Sequence, residues 1–335
     1  MASTAPDLPV HDPADPVESA VINRLAANWG RRASVKRDEP DLLEFFDPLR
    51  PDFPEALIPF RDHPAYLRLP RTVRDRLNAW GWIAFNKNVI DIEQHVVNPG
   101  FQALADDAFG TGLGDTLIVA ATQAMVDEQY HTLMHVNACV ATRKARGWAL
   151  SERHLPLSHK VRSHRRDHDA AAIESPGAAA VVSLAYTTVA EISINAYLDL
   201  VAKDRTVQPF NRTTADLHSR DEYCHSSVAA ELAGIVYHDM RAEDRRLLLD
   251  TMARAMDAFA ATDLTTWSAI LEYERIPDAE RIVADVREGG GPTRLLQDFS
   301  GLHRLCLAWD VMDDIPFDWS RTTVDTPLPD VPPGG

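Results

Sequence analysis

Apolar positions recur at three- and four-residue spacing along nearly the whole chain, the signature of helix faces packed on a core. The pattern predicts helices near 17–31, 72–97, 115–146, 177–203, 209–238, 242–266 and 293–309, and strand signals are weak throughout. Local punctuation agrees. Ser175-Pro176 offers a capping residue followed by proline at the first helical position, and Gly147 stops the helix that ends at Arg146. Asn98-Pro99-Gly100 ends or kinks the helix carrying Glu93, and Gly289-Gly290-Gly291-Pro292 sets off a last helix. The basic, histidine-containing stretch from Arg143 to Arg166 reads as a solvated connection between bundle helices. The expected organisation is a flexible arm over 1–16, one helical domain over 17–315 and a Pro-rich tail over 316–335. The apolar stretch from Gly177 to Ala202 is long enough for a membrane span. Glu191 in its middle, with Thr187, Thr188, Ser193 and Asn195, argues for a buried bundle helix instead.

The acids that interrupt these apolar faces form a pattern written twice. Glu93 stands alone, and Asp127-Glu128-Gln129-Tyr130-His131 follows; Glu191 stands alone, and Asp221-Glu222-Tyr223-Cys224-His225 follows. Glu128 comes 35 residues after Glu93 and Glu222 comes 31 after Glu191. A lone Glu and then Glu-x-x-His, done twice, is the ligand set of a carboxylate-bridged dinuclear site inside a four-helix bundle. The expected fold is therefore all-α: a ferritin-like four-helix bundle with a dinuclear metal core, plus additional flanking helices. Residues three apart on a helix differ by about 60°, so each Glu-x-x-His pair projects from one face. Carboxylate oxygen with imidazole nitrogen suits iron or manganese. Four glutamates buried without partners would each cost several kcal/mol, which two divalent cations offset. Asp127 and Asp221 are placed to accept the second N–H of the histidine on the opposite helix. His218, one turn before Glu222 and two before His225, extends the same stripe and is a seventh candidate ligand.

With these residues in view the chain resembles the p-aminobenzoate N-oxygenase family. The likeness rests on Ile92-Glu93-Gln94, Val126-Asp127-Glu128, His131-Thr132, Ala190-Glu191, Ile194-Asn195-Ala196, Leu217 to Glu222 and Asp298-Phe299-Ser300-Gly301, and runs from about residue 25 to 310. His218 is its most specific element. The resemblance implies a helical bundle holding two iron ions on Glu93, Glu128, His131, Glu191, His218, Glu222 and His225. It implies oxidation of an aromatic amine to hydroxylamine, nitroso or nitro products, with dioxygen as co-substrate. Electrons come from an external donor, a separate reductase, because no flavin or nicotinamide fingerprint is visible. The competing expectations are a ferroxidase or another dinuclear oxidase, such as a desaturase or a radical generator.

Charge and composition narrow the partners. With 34 Lys and Arg against 50 Asp and Glu, the net charge of −16 disfavours nucleic acid and anionic membrane, and leaves room for a homodimer. Three unpatterned cysteines point to a reducing cytoplasm. Asn86, Val89, Ile90, Thr187 and Asn195 share the ligand faces and are the candidate pocket for an arylamine. Those faces carry no Lys or Arg; a benzoate-type substrate would need one, and Arg294 is the nearest candidate on the last helix. A neutral or zwitterionic arylamine fits equally well.

Overall fold

The computed structural model describes residues 20–38, 41–261, 263–289 and 298–321. The arm over 1–16, the glycine run from Gly290, Arg294 and the tail beyond Arg321 lie outside the described residues. The described elements are helices α1 (Ala20–Arg32), α2 (Pro64–Leu67), α3 (Arg71–Ile92), α4 (Asn98–Ala105), α5 (Asp115–Arg146), α6 (His159–Glu174), α7 (Pro176–Ala202), α8 (Pro209–Asp239), α9 (Ala242–Ala260), α10 (Thr265–Tyr273), α11 (Ala279–Glu288) and α12 (Ser300–Ala308), with short 3-10 turns. Four long helices make the bundle. α7 packs along α8, α3 lies against α5, and α5 meets α8. α1 crosses α5 and α8, while α6 and α9 cover α7.

The capping expectations are met. The Ser175 hydroxyl accepts from the Ala178 N–H with Pro176 beside it, starting α7. α5 ends at Gly147, whose φ of 66° is the left-handed conformation that glycine adopts without a Cβ clash. α7 is the one described helix long and apolar enough to cross a membrane, but 83% of its most apolar window is buried between neighbouring helices. It is a core helix. Two apolar clusters flank the bundle centre. One gathers Phe101, Tyr186, Met252 and Phe299; the other gathers Phe60, Tyr66, Trp80, Trp82 and Trp267. Phe317 and Trp319, counted with the tail in the sequence pattern, pack here: the Phe317 ring lies 5.8 Å from Phe299 and 5.1 Å from Trp319.

The structure departs from the sequence pattern in four places. Of the stop or kink expected at Asn98-Pro99-Gly100, the stop does not occur in the helix carrying Glu93. That helix widens into a π-helical turn over Glu93–Val97 and continues as α4. Pro99 has no N–H, so the ladder must skip there, and a π turn absorbs the mismatch. Two loosened carbonyls find side-chain donors: the Asn98 amide donates to Glu93 O at 3.0 Å, and the Thr187 hydroxyl donates to Val96 O at 3.0 Å. Second, the basic connection contains α6, whose start is capped by the Ser158 hydroxyl and whose narrow inner face holds Val161, Ser163, His164 and Ala171. Third, the helix expected over 242–266 breaks after Ala260. Asp263 there accepts from His159 N at 2.7 Å and Thr265 N at 2.9 Å, satisfying the first N–H of both α6 and α10. Fourth, α11, with Ile282 and Val283 buried, has no counterpart in the sequence reading.

Gly100 lets α4 approach α7 closely at Thr187, the residue whose hydroxyl caps the π turn. A Cβ there would meet Thr187 Oγ1 at 1.9 Å and Thr187 Cβ at 2.7 Å. Gly100→Ala is expected to lower stability by about 1–3 kcal/mol through overpacking. A urea denaturation midpoint equal to that of the parent protein would contradict this.

Candidate dinuclear metal centre

Each half of the repeat delivers its side chains to one buried space. Glu93 opens the π turn after α3, Glu128 and His131 come from α5, Glu191 from α7, and His218, Glu222 and His225 from α8. None of the seven is more than 2% exposed. Two overlapping quartets could each hold an ion: Glu128, His131, Glu222 and His225, and Glu93, Glu128, His218 and Glu222. Within each quartet the ligand atoms lie within 4.8 Å of one another. Glu128 and Glu222 belong to both, as carboxylates shared by two ions would have to. Glu191 closes the ring, with Oε2 4.0 Å from His225 Nδ1.

Five of these buried atoms lack a hydrogen-bond partner: Glu93 Oε2, Glu128 Oε1, Glu191 Oε2, Glu222 Oε2 and His225 Nδ1. His225 Nδ1 comes to 2.5 Å from Glu128 Oε1 without hydrogen-bond geometry. Orphaned polar atoms in a protein interior cost several kcal/mol unless something satisfies them. The donor set of oxygens and imidazole nitrogens fits two first-row metal ions, which would neutralise the four carboxylates.

The outer contacts fix which nitrogen of each histidine faces inward. His225 Nε2 donates to Asp127 at 3.0 Å, leaving Nδ1 toward Glu128 and Glu222. His131 Nε2 lies 3.3 Å from Asp221, and its Nδ1 faces Glu128 at 2.8 Å and Glu222 at 3.1 Å. Each aspartate thus serves the histidine of the opposite helix. The aspartates are anchored in turn from the N-terminal segment. The Trp29 indole N–H donates to both oxygens of Asp127 at 2.9 Å, and the Ser34 backbone N–H donates to Asp221 at 3.0 Å.

His218 has a longer support. Its Nε2 lies 2.8 Å from Glu222 Oε1 and 3.6 Å from Glu93 Oε1. Its Nδ1 lies 2.8 Å from His135 Nε2, and His135 Nδ1 lies 2.7 Å from Asn86 Oδ1. The Asn86 amide donates to Trp82 O at 2.6 Å. Burial, with His218 and His131 nearby, pushes His135 well down, so it is neutral; burial and His131 also lower His218. One polarity then satisfies every link: His218 Nδ1–H donates to His135, and His135 Nδ1–H donates to Asn86. That chain leaves the His218 Nε2 lone pair aimed at the site.

Without ions, protons would balance the charge of this centre. Burial and the repulsion of neighbouring glutamates push Glu93 and Glu191 well above the usual carboxylate range. Burial and Glu222 also act to raise Glu128, but His131 and His225 outweigh them and hold it at about 2. Burial would raise Glu222 too, yet the charge of His225 and the close approach of His131 and His218 hold it well below normal. Burial opposes the charge on His131 and His225, but Glu128 with the surrounding acceptors keeps both protonated. Ligating forms require Glu93 and Glu191 ionised and both imidazoles neutral, so metal must displace protons. Adding ferrous iron anaerobically to apoprotein in weak buffer at pH 7 is expected to release up to about four protons per chain. Affinity should fall as the pH is lowered. An iron titration that binds metal without acidifying the solution would contradict this.

Of the five candidate pocket residues, Asn86 ends the His135 chain and Thr187 caps the π turn. Val89 is fully buried and Ile90 nearly so, and Asn195 accepts from the Ser219 hydroxyl at 2.9 Å. A cavity of about 180 Å³ lies beside the bundle, lined by Phe85, Asn88, Lys160, Tyr197, Phe259 and Trp267 among others. Phe85 stacks on Tyr197 at 4.7 Å and sits 6.3 Å from the His135 ring, so the cavity's wall backs onto the support of His218. Lys160 comes from α6, and its ammonium lies 4.9 Å from the ring centroids of both Tyr197 and Phe259. Burial pushes that ammonium down to about 8. Lys87, also on the wall, is engaged by Asp91. Sequence reasoning left Lys160 in a solvated loop; the Ser158 cap was the one signal that a helix starts there. A radical generator would need a tyrosine free beside the centre, but Tyr186 commits its hydroxyl to Asp167 at 3.0 Å, and Tyr223 is exposed.

Comparison with known proteins adds two matches. A family model described as p-aminobenzoate N-oxygenase AurF matches residues 15–310. A curated protein of Streptomyces thioluteus named 4-aminobenzoate N-oxygenase is 36% identical over 306 residues, which covers 90% of each chain.

Proposed function

The chain belongs to the p-aminobenzoate N-oxygenase family and is an oxygenase of arylamines with a dinuclear centre, and we propose that both ions are iron, held by Glu93, Glu128, His131, Glu191, His218, Glu222 and His225. The observation that carries this is the convergence of five partnerless buried atoms on one space. An iron pair bound there would supply dioxygen activation and oxygen transfer to the amine nitrogen, its electrons coming from an external reductase. The chain's own residues do the rest. Asp127 and Asp221 fix the tautomers of His225 and His131, and His135 fixes that of His218. The apolar clusters around the bundle keep bulk water from the reacting atoms.

The substrate we infer is an aminobenzoate-type acid, the class that the Streptomyces relative is named for. Its ring fits among Phe85, Tyr197 and Phe259, and its carboxylate meets the Lys160 ammonium. The product is the hydroxylamine, nitroso or nitro compound, a step suited to antibiotic biosynthesis in a reducing cytoplasm. The test is metal analysis followed by a single turnover. Protein carrying two irons per chain, chemically reduced and then mixed with oxygen and 4-aminobenzoate, is expected to yield N-oxygenated product. A loaded, reduced protein that consumes oxygen without oxidising any of a panel of arylamines would overturn the assignment.

A further inference from the structure

The two halves of the metal centre are near-copies, yet their outer anchors differ in kind. On one side the chain runs His131, Asp221 and then a backbone amide, that of Ser34. On the other it runs His225, Asp127 and then the Trp29 indole. An amide is all that is needed to hold a carboxylate in place, as the Ser34 side demonstrates. The Trp29 side uses a large polarisable ring for the same purpose and makes both hydrogen bonds at 2.9 Å. Trp29 is half-buried: its indole N–H meets Asp127 while part of the residue stays accessible on α1. Two hydrogen bonds, 2.9 Å and then 3.0 Å, connect that surface to a ligand imidazole.

The surface around Trp29 has a distinct charge. Residues 20–37 contain Arg24, Arg31, Arg32, Lys36 and Arg37 and no Asp or Glu, in a chain whose net charge is −16. The Lys36 ammonium lies 4.3 Å over the Trp29 ring, and Arg32 Nη1 is 3.6 Å from Asp127. A basic patch on an acidic protein steers an acidic partner to one face. The partner that this reaction requires is an electron donor.

We propose that Trp29 is the point of electron entry: an acidic one-electron carrier protein docks on the basic face of α1, and electrons pass through the indole, Asp127 and His225 to the iron pair. The inference rests on the iron assignment made above. In each step the reduced carrier, of the iron–sulfur class, loses one electron and one ferric ion becomes ferrous. Two steps return the centre to the diferrous state. The indole, carboxylate and imidazole serve as a bridge; no bond forms or breaks and none of the three is left oxidised or reduced. The hydrogen bonds matter because electronic coupling through a bonded contact exceeds coupling across a gap of the same span.

The test compares Trp29→Phe and Trp29→Gln with the parent protein. Phenylalanine removes the N–H donor; glutamine keeps a donor for Asp127 but has no ring reaching the surface. Diferric protein is mixed anaerobically with photoreduced plant-type ferredoxin, an acidic one-electron carrier. Loss of the ferric absorption is followed per bound iron, with excess dithionite setting the end point. The parent protein is expected to be reduced at a rate that falls with added salt. Both variants are expected to be reduced at least about tenfold more slowly, with the Gln variant retaining its iron. A Gln variant as fast as the parent would reduce Trp29 to an anchor for Asp127. Parent-like rates in both variants, or a parent protein that ferredoxin does not reduce, would overturn the proposal. Metal analysis separates the two levels: a purified chain without iron defeats the assignment of the centre, whereas iron-loaded variants with unchanged rates defeat only the entry route.

Discussion

Glu222→Ala is expected to strip both metals. Glu222 is one of two residues common to the two ligand quartets, and it also meets His218 at 2.8 Å and His131 at 3.1 Å. Removing it would delete the proposed bridge and free the imidazoles that it meets. It also unbalances a centre in which two buried imidazolium ions rely on Glu128 and Glu222 for compensation. Iron should drop from two per chain toward none. Activity should fall by more than the roughly 10–100-fold that outer-contact changes cost at metal sites. Helicity by circular dichroism should be largely kept, because the apolar clusters flanking the bundle are untouched. Iron analysis of the purified variant is the check, and retention of two ions would mean that Glu222 is not a bridge.

Lys160→Met is expected to separate acidic from neutral substrates. A hydrogen bond to a charged group is worth about 1.5–3 kcal/mol, so kcat/KM for 4-aminobenzoate should fall roughly 10–150-fold. A neutral arylamine of the same size, such as 4-aminobenzamide, should lose little, since methionine keeps the apolar contact with Tyr197 and Phe259. The parent protein carries a matching pH signature. Burial has moved the Lys160 ammonium down to about 8, so the cation is present below that pH and is lost above it. KM for the acid should therefore rise as the pH passes 8, while KM for the amide stays flat. Equal losses for both substrates in the variant would place the carboxylate elsewhere.

The convergence of the candidate ligands was legible because its physics is local. Glu128 and His131 share a face by virtue of three-residue spacing, and His218, Glu222 and His225 do so by spacings of four and three. The Asp–His pairing across helices also follows from the repeat, because each Asp precedes a Glu already placed at the bundle centre. What escaped depends on distance in sequence or on backbone detail. Trp29 reaches Asp127 across 98 residues and Ser34 reaches Asp221 across 187, contacts that no periodicity encodes. The π turn arises from Pro99 acting with a hydroxyl from Thr187 and an amide from Asn98, and a helix stop looks the same in sequence. α6 escaped because its buried face is only a few residues wide, so charge hid the helix and Lys160 with it. His135 and Asn86 were both placed on ligand faces, but their joint role required seeing them 2.7 Å apart.

The central claim is that seven side chains surround a pair of ions. Anomalous X-ray scattering at the iron edge, from crystals of iron-loaded protein, measures this directly. The expected result is two peaks about 3.5–4 Å apart, both in contact with Glu128 and Glu222. A single peak, or peaks away from these two carboxylates, would contradict it.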